Sequence, residues 1–500
     1  MEAMAEHLGR SGLRYPPKSV PSSQLLTNHA SLRLPPNLQP LHLQFPSHVH
    51  ANDISPLAKT VCDILARASP EEIEASLDST EIPANPILVE EVLKYSYNYP
   101  TSAVKFFRWA GQKHKHSAIA WNLMVDLLGK NQAFEQMWDA IRSMKREGAL
   151  SMATFASVFS SYCSAGRVNE AVMSFDVMDQ YGVEQDTVAV NSILSAICAE
   201  DMQTMRASEV YDKIKGKIPP DGDTFAILLE GWEKEGNVDK AKNTFGEMVA
   251  RIGWSSQNMS AYDAFLTTLV RGSHAEEAIK FLQVMKGKNC LPGLKFFSTA
   301  LDILSKSDDL HNCILLWDIM VSSGLMPSLF MYNQMIGLLC KNDDTDNAFR
   351  LLDEMVFHGA FPDSLTHNMI FECLVKNKKV REAAKFFVEM IKNELPPTHS
   401  NCSMAISMFF NGDDPETGVD IWNYMIDNCF LHLDASANAL LLGLCTLGRF
   451  SELRKFAEDM FDRRINIYES TREKLMDALY KAERRSARDT YDFLSRRWRA

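Results

Sequence analysis

The sequence predicts an all-α chain, a right-handed α-α superhelix (solenoid) of about ten helical hairpins, each close to 35 residues long. Three observations lead there. Segments 170–186, 347–363 and 382–398 align without gaps, each carrying Ala and, seven residues later, Met (Ala171 and Met178, Ala348 and Met355, Ala383 and Met390). Extending that alignment yields ten units, starting at Ala118, Met152, Thr187, Gly222, Met259, Leu294, Leu329, Ser364, His399 and Asp434 and ending near Tyr468. Within a unit the apolar residues twice follow i, i+3, i+4, i+7 spacing, which marks amphipathic helices; strands would alternate.

The elements of a unit follow in order. In the seventh, Tyr332, Met335, Ile336 and Leu339 form the stripe of a first helix, and Ala348, Leu351, Leu352 and Met355 that of a second. Gly or Asp between the helices (Gly166, Gly236, Asp308, Asp343, Gly448) suits a tight turn. Place 20 is Ala in five units, small enough to let the two helices approach. Place 27 is Met in nine of ten, expected between helices. Pro at place 34 in five units stops the second helix, because it lacks an N–H and disfavours helix in the residue before it. One hairpin cannot bury both stripes, so successive hairpins must stack. Cys163, Cys198, Cys340 and Cys445 share place 12 beside the first stripe and are expected to be small core residues.

The flanks differ. Residues 1–54 read as a targeting leader or plain extension: from His7 to Asn52 there is no acidic residue, while Arg10, Arg14, Lys18 and Arg33 are basic among Pro, Ser, Leu and His. Such composition suits import into mitochondria, with chloroplasts the alternative. Residues 55–117 read as a helical cap with a degenerate hairpin, 118–468 as the ten repeats, and 469–500 as a trailing helical cap.

Several function classes are disfavoured. No apolar run reaches the roughly 18 residues of a membrane span. The ten cysteines include no C-x-x-C, which argues against the usual zinc and dithiol sites. His274-Ala275-Glu276 matches half of a zinc-deaminase signature, without the P-C-x-x-C that should follow. No phosphate-binding glycine loop occurs. Neither metal, cofactor nor catalytic residue is therefore expected, and the chain is expected not to be an enzyme. A net charge of −12 means that any polyanion must be met by locally placed cations.

The 35-residue period, best seen in residues 331–363, resembles the pentatricopeptide repeat, and over 118–468 it resembles plant organellar members of the P subclass. The resemblance implies a monomer that binds single-stranded RNA from an organellar transcript, one base per repeat, alone or with other RNA-processing proteins. It implies that the fifth and last residues of a unit read the base. Asn191 with Asp221 and Asn333 with Asp363 match a uridine-preferring pair; Asn122 with Ser151 and Asn368 with Thr398 suggest pyrimidines, and Ser298 with Ser328 a purine. Asn at place 5 has helix capping as its ordinary alternative role. Ala156, Ala226, Asp263, Ser403 and Asn438 make poor or unreadable pairs with their partners. An aliphatic second residue would sandwich the base: Ile119, Val188 and Leu365 fit and Phe330 can serve, whereas Asp223, Ser260, Lys295 and Ser400 depart. Place 13 carries Lys130, Lys234, Arg271, Lys306, Lys341 and Lys376, which would face phosphates; the alternative is that they complement the helix dipole.

Two functions stay open: sequence-selective RNA binding acting by occupancy, and a protein-interaction scaffold, such as a subunit of the organellar ribosome or of an RNA-processing complex. The poor pairs, the polar second places and the negative charge speak for the scaffold.

Overall fold

The computed structural model describes residues 54–69, 71–80, 82–412, 414–482 and 484–499; the expected leader lies outside them. Among the described residues every regular element is a helix. The first helices of the ten repeats run Ala118–Lys130, Met152–Ser164, Thr187–Ala199, Gly222–Glu235, Met259–Arg271, Leu294–Lys306, Leu329–Lys341, Ser364–Lys376, His399–Asn411 and Asp434–Thr446. Each begins at the residue from which its repeat was counted. Two helical pairs precede them (Pro56–Arg67 with Ile73–Asp78, Pro86–Tyr95 with Pro100–Lys113), and Glu469–Lys481 with Arg485–Arg499 follows. No helix is long and apolar enough to cross a membrane among the described residues.

The starts are set by capping. The last residue of each repeat is the N-cap of the next first helix: Asp186 accepts from the Ala189 amide, Ser328 from Met331, Thr398 from Asn401. A side-chain oxygen there satisfies one of the orphan amides of a first turn, a contribution of about 1 kcal/mol. Turns between the two helices pass through a left-handed residue at place 15. Gly166, Gly236 and Gly448 adopt it at no steric cost, but Gln132, Ser273, Asp308, Asp343 and Lys378 hold positive φ as well. The tertiary stack thus imposes the turn even where the local residue resists it.

All nine place-27 methionines are fully buried. Each such side chain contributes about 1.5–3 kcal/mol by leaving water. Repeat 3, the one unit without this Met, shows why the pattern broke. Its second helix starts one residue late, at Thr204, with a left-handed Met202 before it. The small buried residue is consequently Ala207 at place 21, and Ile214 takes the Met position seven residues on, while Lys213 at place 27 is exposed.

First helices pack against first helices all along the stack, whereas second helices lie mainly on their own hairpin, so the first helices form one continuous row. Their register is constant. Place 12 of one repeat meets place 10 of the next: Phe410 meets Gly443, Cys198 meets Gly231, and Gly129 meets Ser161. At least one residue of each pair is glycine because the backbones approach closely; a Cβ on Gly443 would come within 2.3 Å of the Phe410 ring.

Candidate nucleic-acid interface

In the row of first helices, places 2, 3 and 5 lie in the first turns beside the place-35 N-cap, and place 13 lies at the opposite helix end. In repeat 7, Asn333 Nδ2 donates to Asp363 Oδ1 at 3.4 Å, and in repeat 3, Asn191 Nδ2 donates to Asp221 Oδ1 at 3.1 Å. The two pairs singled out on sequence are thus in contact. Neither Asn caps a helix; the Asp does, accepting from the amide of Thr366 (2.9 Å) or Thr224 (2.8 Å). Burial tends to raise the Asp363 carboxyl, but hydrogen bonds from the Thr366 amide and hydroxyl, Asn333 and the Leu365 amide outweigh it and hold the pKa below the usual range.

The remaining candidates divide. Asn122 is linked to Ser151 through Thr154, whose hydroxyl donates to Asn122 Oδ1 at 2.7 Å while its oxygen accepts from the Ser151 amide at 3.3 Å. Asn368 is spent on its own surroundings. Its Nδ2 donates to the carbonyls of Ser364 (2.8 Å) and Pro396 (3.2 Å), and its Oδ1 accepts from the Thr398 amide (2.7 Å) and from Asn401 Nδ2 (3.1 Å). Ser298 is half-buried, and Ser328 serves as a cap. The four second-place candidates stand open to solvent: Ile119 and Phe330 are 50% exposed, Val188 43% and Leu365 58%. Exposed apolar residues at one recurring helical position are what stacking on a base requires.

Each of the six place-13 cations has an acceptor. Lys130 pairs with Asp126, Lys306 with Asp302 and Lys376 with Glu372, all one turn back on the same helix. Arg271 reaches Glu233 at 3.0 Å and Lys341 reaches Asp308 at 3.1 Å, both in the preceding repeat, and Lys234 Nζ donates to the Cys198 carbonyl at 3.3 Å. Lys306–Asp302, Lys341–Asp308 and Lys376–Glu372 are surface pairs, worth about 0–1 kcal/mol each, whereas the Asp126 partner of Lys130 is buried.

Repeats 4 and 5 place the fifth-place Asp263, a poor base reader on sequence, near two further acids, Glu230 and Glu233. Burial raises the Asp263 carboxyl to about 6, against the Gly293 amide that donates to it at 2.7 Å, with Glu230 adding to the rise and Lys295 opposing it. Burial raises Glu233 too, against Arg271 and Lys295, with Glu230 and Asp263 adding to the rise.

Of the place-12 cysteines, Cys163, Cys198 and Cys445 are buried and Cys340 partly exposed. Burial pushes the Cys163 and Cys198 thiols up to about 12, which suits core residues rather than nucleophiles. Cys340 also meets Cys373 of the next repeat, whose Sγ lies 3.4 Å from the Cys340 carbonyl.

The residues missed on sequence are the third-place threonines Thr154, Thr224 and Thr366, fully buried behind the asparagines. Their signal was a polar residue three places after a capping Ser or Asp, the capping-box pattern.

Ten stacked hairpins with polar residues recurring along the row of first helices define a helical-repeat protein. Family models match parts of the chain: one described as a pentatricopeptide repeat-containing protein matches residues 124–248, one described as a PPR repeat family matches 327–376 and one described as a PPR repeat matches 365–395. Among curated proteins, the chain is 31% identical over 190 residues to a pentatricopeptide repeat-containing protein of Arabidopsis thaliana named as mitochondrial, covering 38% of this chain and 37% of that one. A second such Arabidopsis protein is 33% identical over 190 residues, covering 36% and 34%. The chain thus spans about a third of the length of these relatives. Among solved structures, the pentatricopeptide repeat protein PPR10 from maize covers 85% of this chain and 66% of its own at 20% identity, with a TM-score of 0.42. The yeast protein Rmd9p, solved in complex with a target RNA, covers 88% and 95% at 12% identity, with a TM-score of 0.33.

Proposed function

We propose that the protein is a sequence-selective binder of single-stranded RNA, of the P subclass and plant organellar type, acting on mitochondrial transcripts by occupancy rather than catalysis. The observation that carries this is the Asn333–Asp363 contact and its repetition at Asn191–Asp221, in a row of helices whose second places, Val188, Phe330 and Leu365, offer exposed apolar surface. An amide fixed against a carboxylate, next to a stacking surface, recognises the edge of an unpaired base. A bound stretch of about ten nucleotides, one per repeat, would be shielded from exonucleases or held free of structure for processing, splicing or translation. The names of the Arabidopsis relatives support mitochondria as the site of action, as does the acid-poor composition of residues 7–52.

The test is selection from randomised RNA, followed by salt titration of the enriched sequence. Asn333→Thr should move the preference at one position from uridine towards a purine, by about 1–3 kcal/mol. A fusion of residues 1–50 to a fluorescent protein should enter mitochondria; entry into chloroplasts would change the organelle alone.

One observation favours the scaffold reading: the acids Glu230, Glu233 and Asp263 lie on the first helices of repeats 4 and 5. Affinity for RNA that falls steeply with salt distinguishes the two, because phosphate neutralisation releases counterions.

A further inference from the structure

The fifth-place asparagines adopt two hydrogen-bonding states, and one local motif separates them. In repeats 3 and 7 the Thr at place 3 of the following repeat donates to the Asn carbonyl: Thr224 Oγ1 lies 2.7 Å from Asn191 Oδ1, and Thr366 Oγ1 2.6 Å from Asn333 Oδ1. The orientation follows from donor counting. A carboxylate only accepts, so the Asn group facing Asp221 or Asp363 is the NH₂. The carbonyl must then face the threonine, whose one hydroxyl proton is shared between that carbonyl and the Asp carboxylate, 2.9 Å away at Asp221 Oδ1 and 2.8 Å away at Asp363 Oδ1. That threonine oxygen in turn accepts the N-cap amide, Asp221 at 3.1 Å and Asp363 at 3.2 Å. One NH₂ hydrogen and one carbonyl lone pair of each Asn remain for a ligand.

In repeats 8 and 10 the N-cap amide donates to the Asn itself: Thr398 N to Asn368 Oδ1 at 2.7 Å, and Tyr468 N to Asn438 Oδ1 at 2.9 Å. The amide groups of both asparagines then donate to two carbonyls each, Ser364 and Pro396 for the first, Asp434 and Asn466 for the second. No NH₂ hydrogen is left on either. What differs is the capping box. Its two hydrogen bonds form at Ser151 with Thr154, Asp221 with Thr224 and Asp363 with Thr366, the helix starts that follow repeats 1, 3 and 7. Threonine alone is not enough: Thr471 occupies place 3 after repeat 10, but its N-cap is Tyr468, which forms no side-chain cap.

We propose that the capping-box threonines Thr154, Thr224 and Thr366 are positioning residues that select which repeats read a base. They take up the N-cap amide that would otherwise bind the fifth-place Asn, and so hold its NH₂ towards the groove. Repeats 1, 3 and 7 then discriminate bases, whereas repeats 8 and 10, despite the same Asn, hold RNA without reading it. This inference rests on the RNA-binding reading above.

The experiment is selection from randomised RNA with wild type, Thr366→Val, Thr366→Ser and the double variant Thr398→Asp/Asn401→Thr. Thr366→Val removes the hydroxyl at nearly constant shape. It should abolish base preference at the nucleotide facing repeat 7, a roughly tenfold loss of enrichment on the scale of a base contact. Preferences at the nucleotides facing repeats 1 and 3 report that the solenoid is intact. Thr366→Ser should restore the lost preference. The double variant installs a capping box behind Asn368 and should create a preference at the next nucleotide, which a purely structural threonine would not do. A repeat-7 preference that survives Thr366→Val, or selection by repeat 8 in wild type, overturns the inference while leaving RNA binding intact. Wild type that enriches no sequence overturns the RNA reading and the inference with it.

Discussion

Lys341 Nζ lies 3.1 Å from Asp308 Oδ1 across the boundary between repeats 6 and 7. Asp308 is the left-handed turn residue at place 15 of its repeat, so a turn imposed by stacking presents a carboxylate to the next repeat's cation. Lys341→Ala should weaken all RNAs alike and lower the slope of log affinity against log salt by about one unit. Asp308→Asn should do the opposite, because Asn tolerates the left-handed conformation and frees the lysine. A sequence-dependent effect of either change in filter binding would contradict backbone contact at this position.

Met355 is fully buried between helices, like its eight equivalents. Met355→Asp places an unpaired charge there and should cost on the order of 3 kcal/mol or more. Urea denaturation followed by circular dichroism measures it. A loss below about 1 kcal/mol, the range of surface changes, would mean that the stack does not depend on this layer.

Phe410 fills the space left by Gly443 where repeats 9 and 10 meet. Gly443→Ala should destabilise by about 1–3 kcal/mol through overpacking. Adding Phe410→Leu should recover part of that loss, since the pair is in direct contact and its effects cannot be independent.

Asp263 supplies a pH dependence. Its folded pKa, raised by burial to about 6, lies above the roughly 3.9 of an unfolded aspartate. The folded state therefore holds the proton more tightly, and stability falls as pH rises from about 4 to about 6. Asp263→Asn keeps an oxygen for the Gly293 amide and should gain on the order of 2 kcal/mol at pH 7 while flattening that window. Denaturation midpoints of both proteins at pH 4 and pH 7 test this; equal gains at both pH values would assign the effect to something other than titration.

Much of this protein was legible from the chain alone. The ten helix starts, the Met layer and the tight turns are local or periodic features. An N-cap with the apolar spacing after it specifies a helix within a few residues, and a period repeated ten times averages out local noise. Repeat 3 departs from the common register by one residue in its second half, where the extra turn residue before Ala207 is compensated later and leaves the period unchanged. The pairing of Asn191 with Asp221 and of Asn333 with Asp363 is expected only through the family resemblance, which links places 5 and 35. The tertiary structure alone decided which asparagines are available. Asn333 and Asn368 share a repeat position and a residue type, but one keeps a hydrogen for a ligand and the other does not. The difference lies about thirty residues downstream, in whether the next hairpin offers Thr366 or Asn401. The same holds for the Lys341–Asp308 pair and the facing of Cys340 and Cys373, which join separate repeats. A helix is written in its own neighbourhood, where backbone hydrogen bonds close over four residues. A buried amide takes its orientation from every donor and acceptor around it, and stacking rather than sequence proximity brings those together.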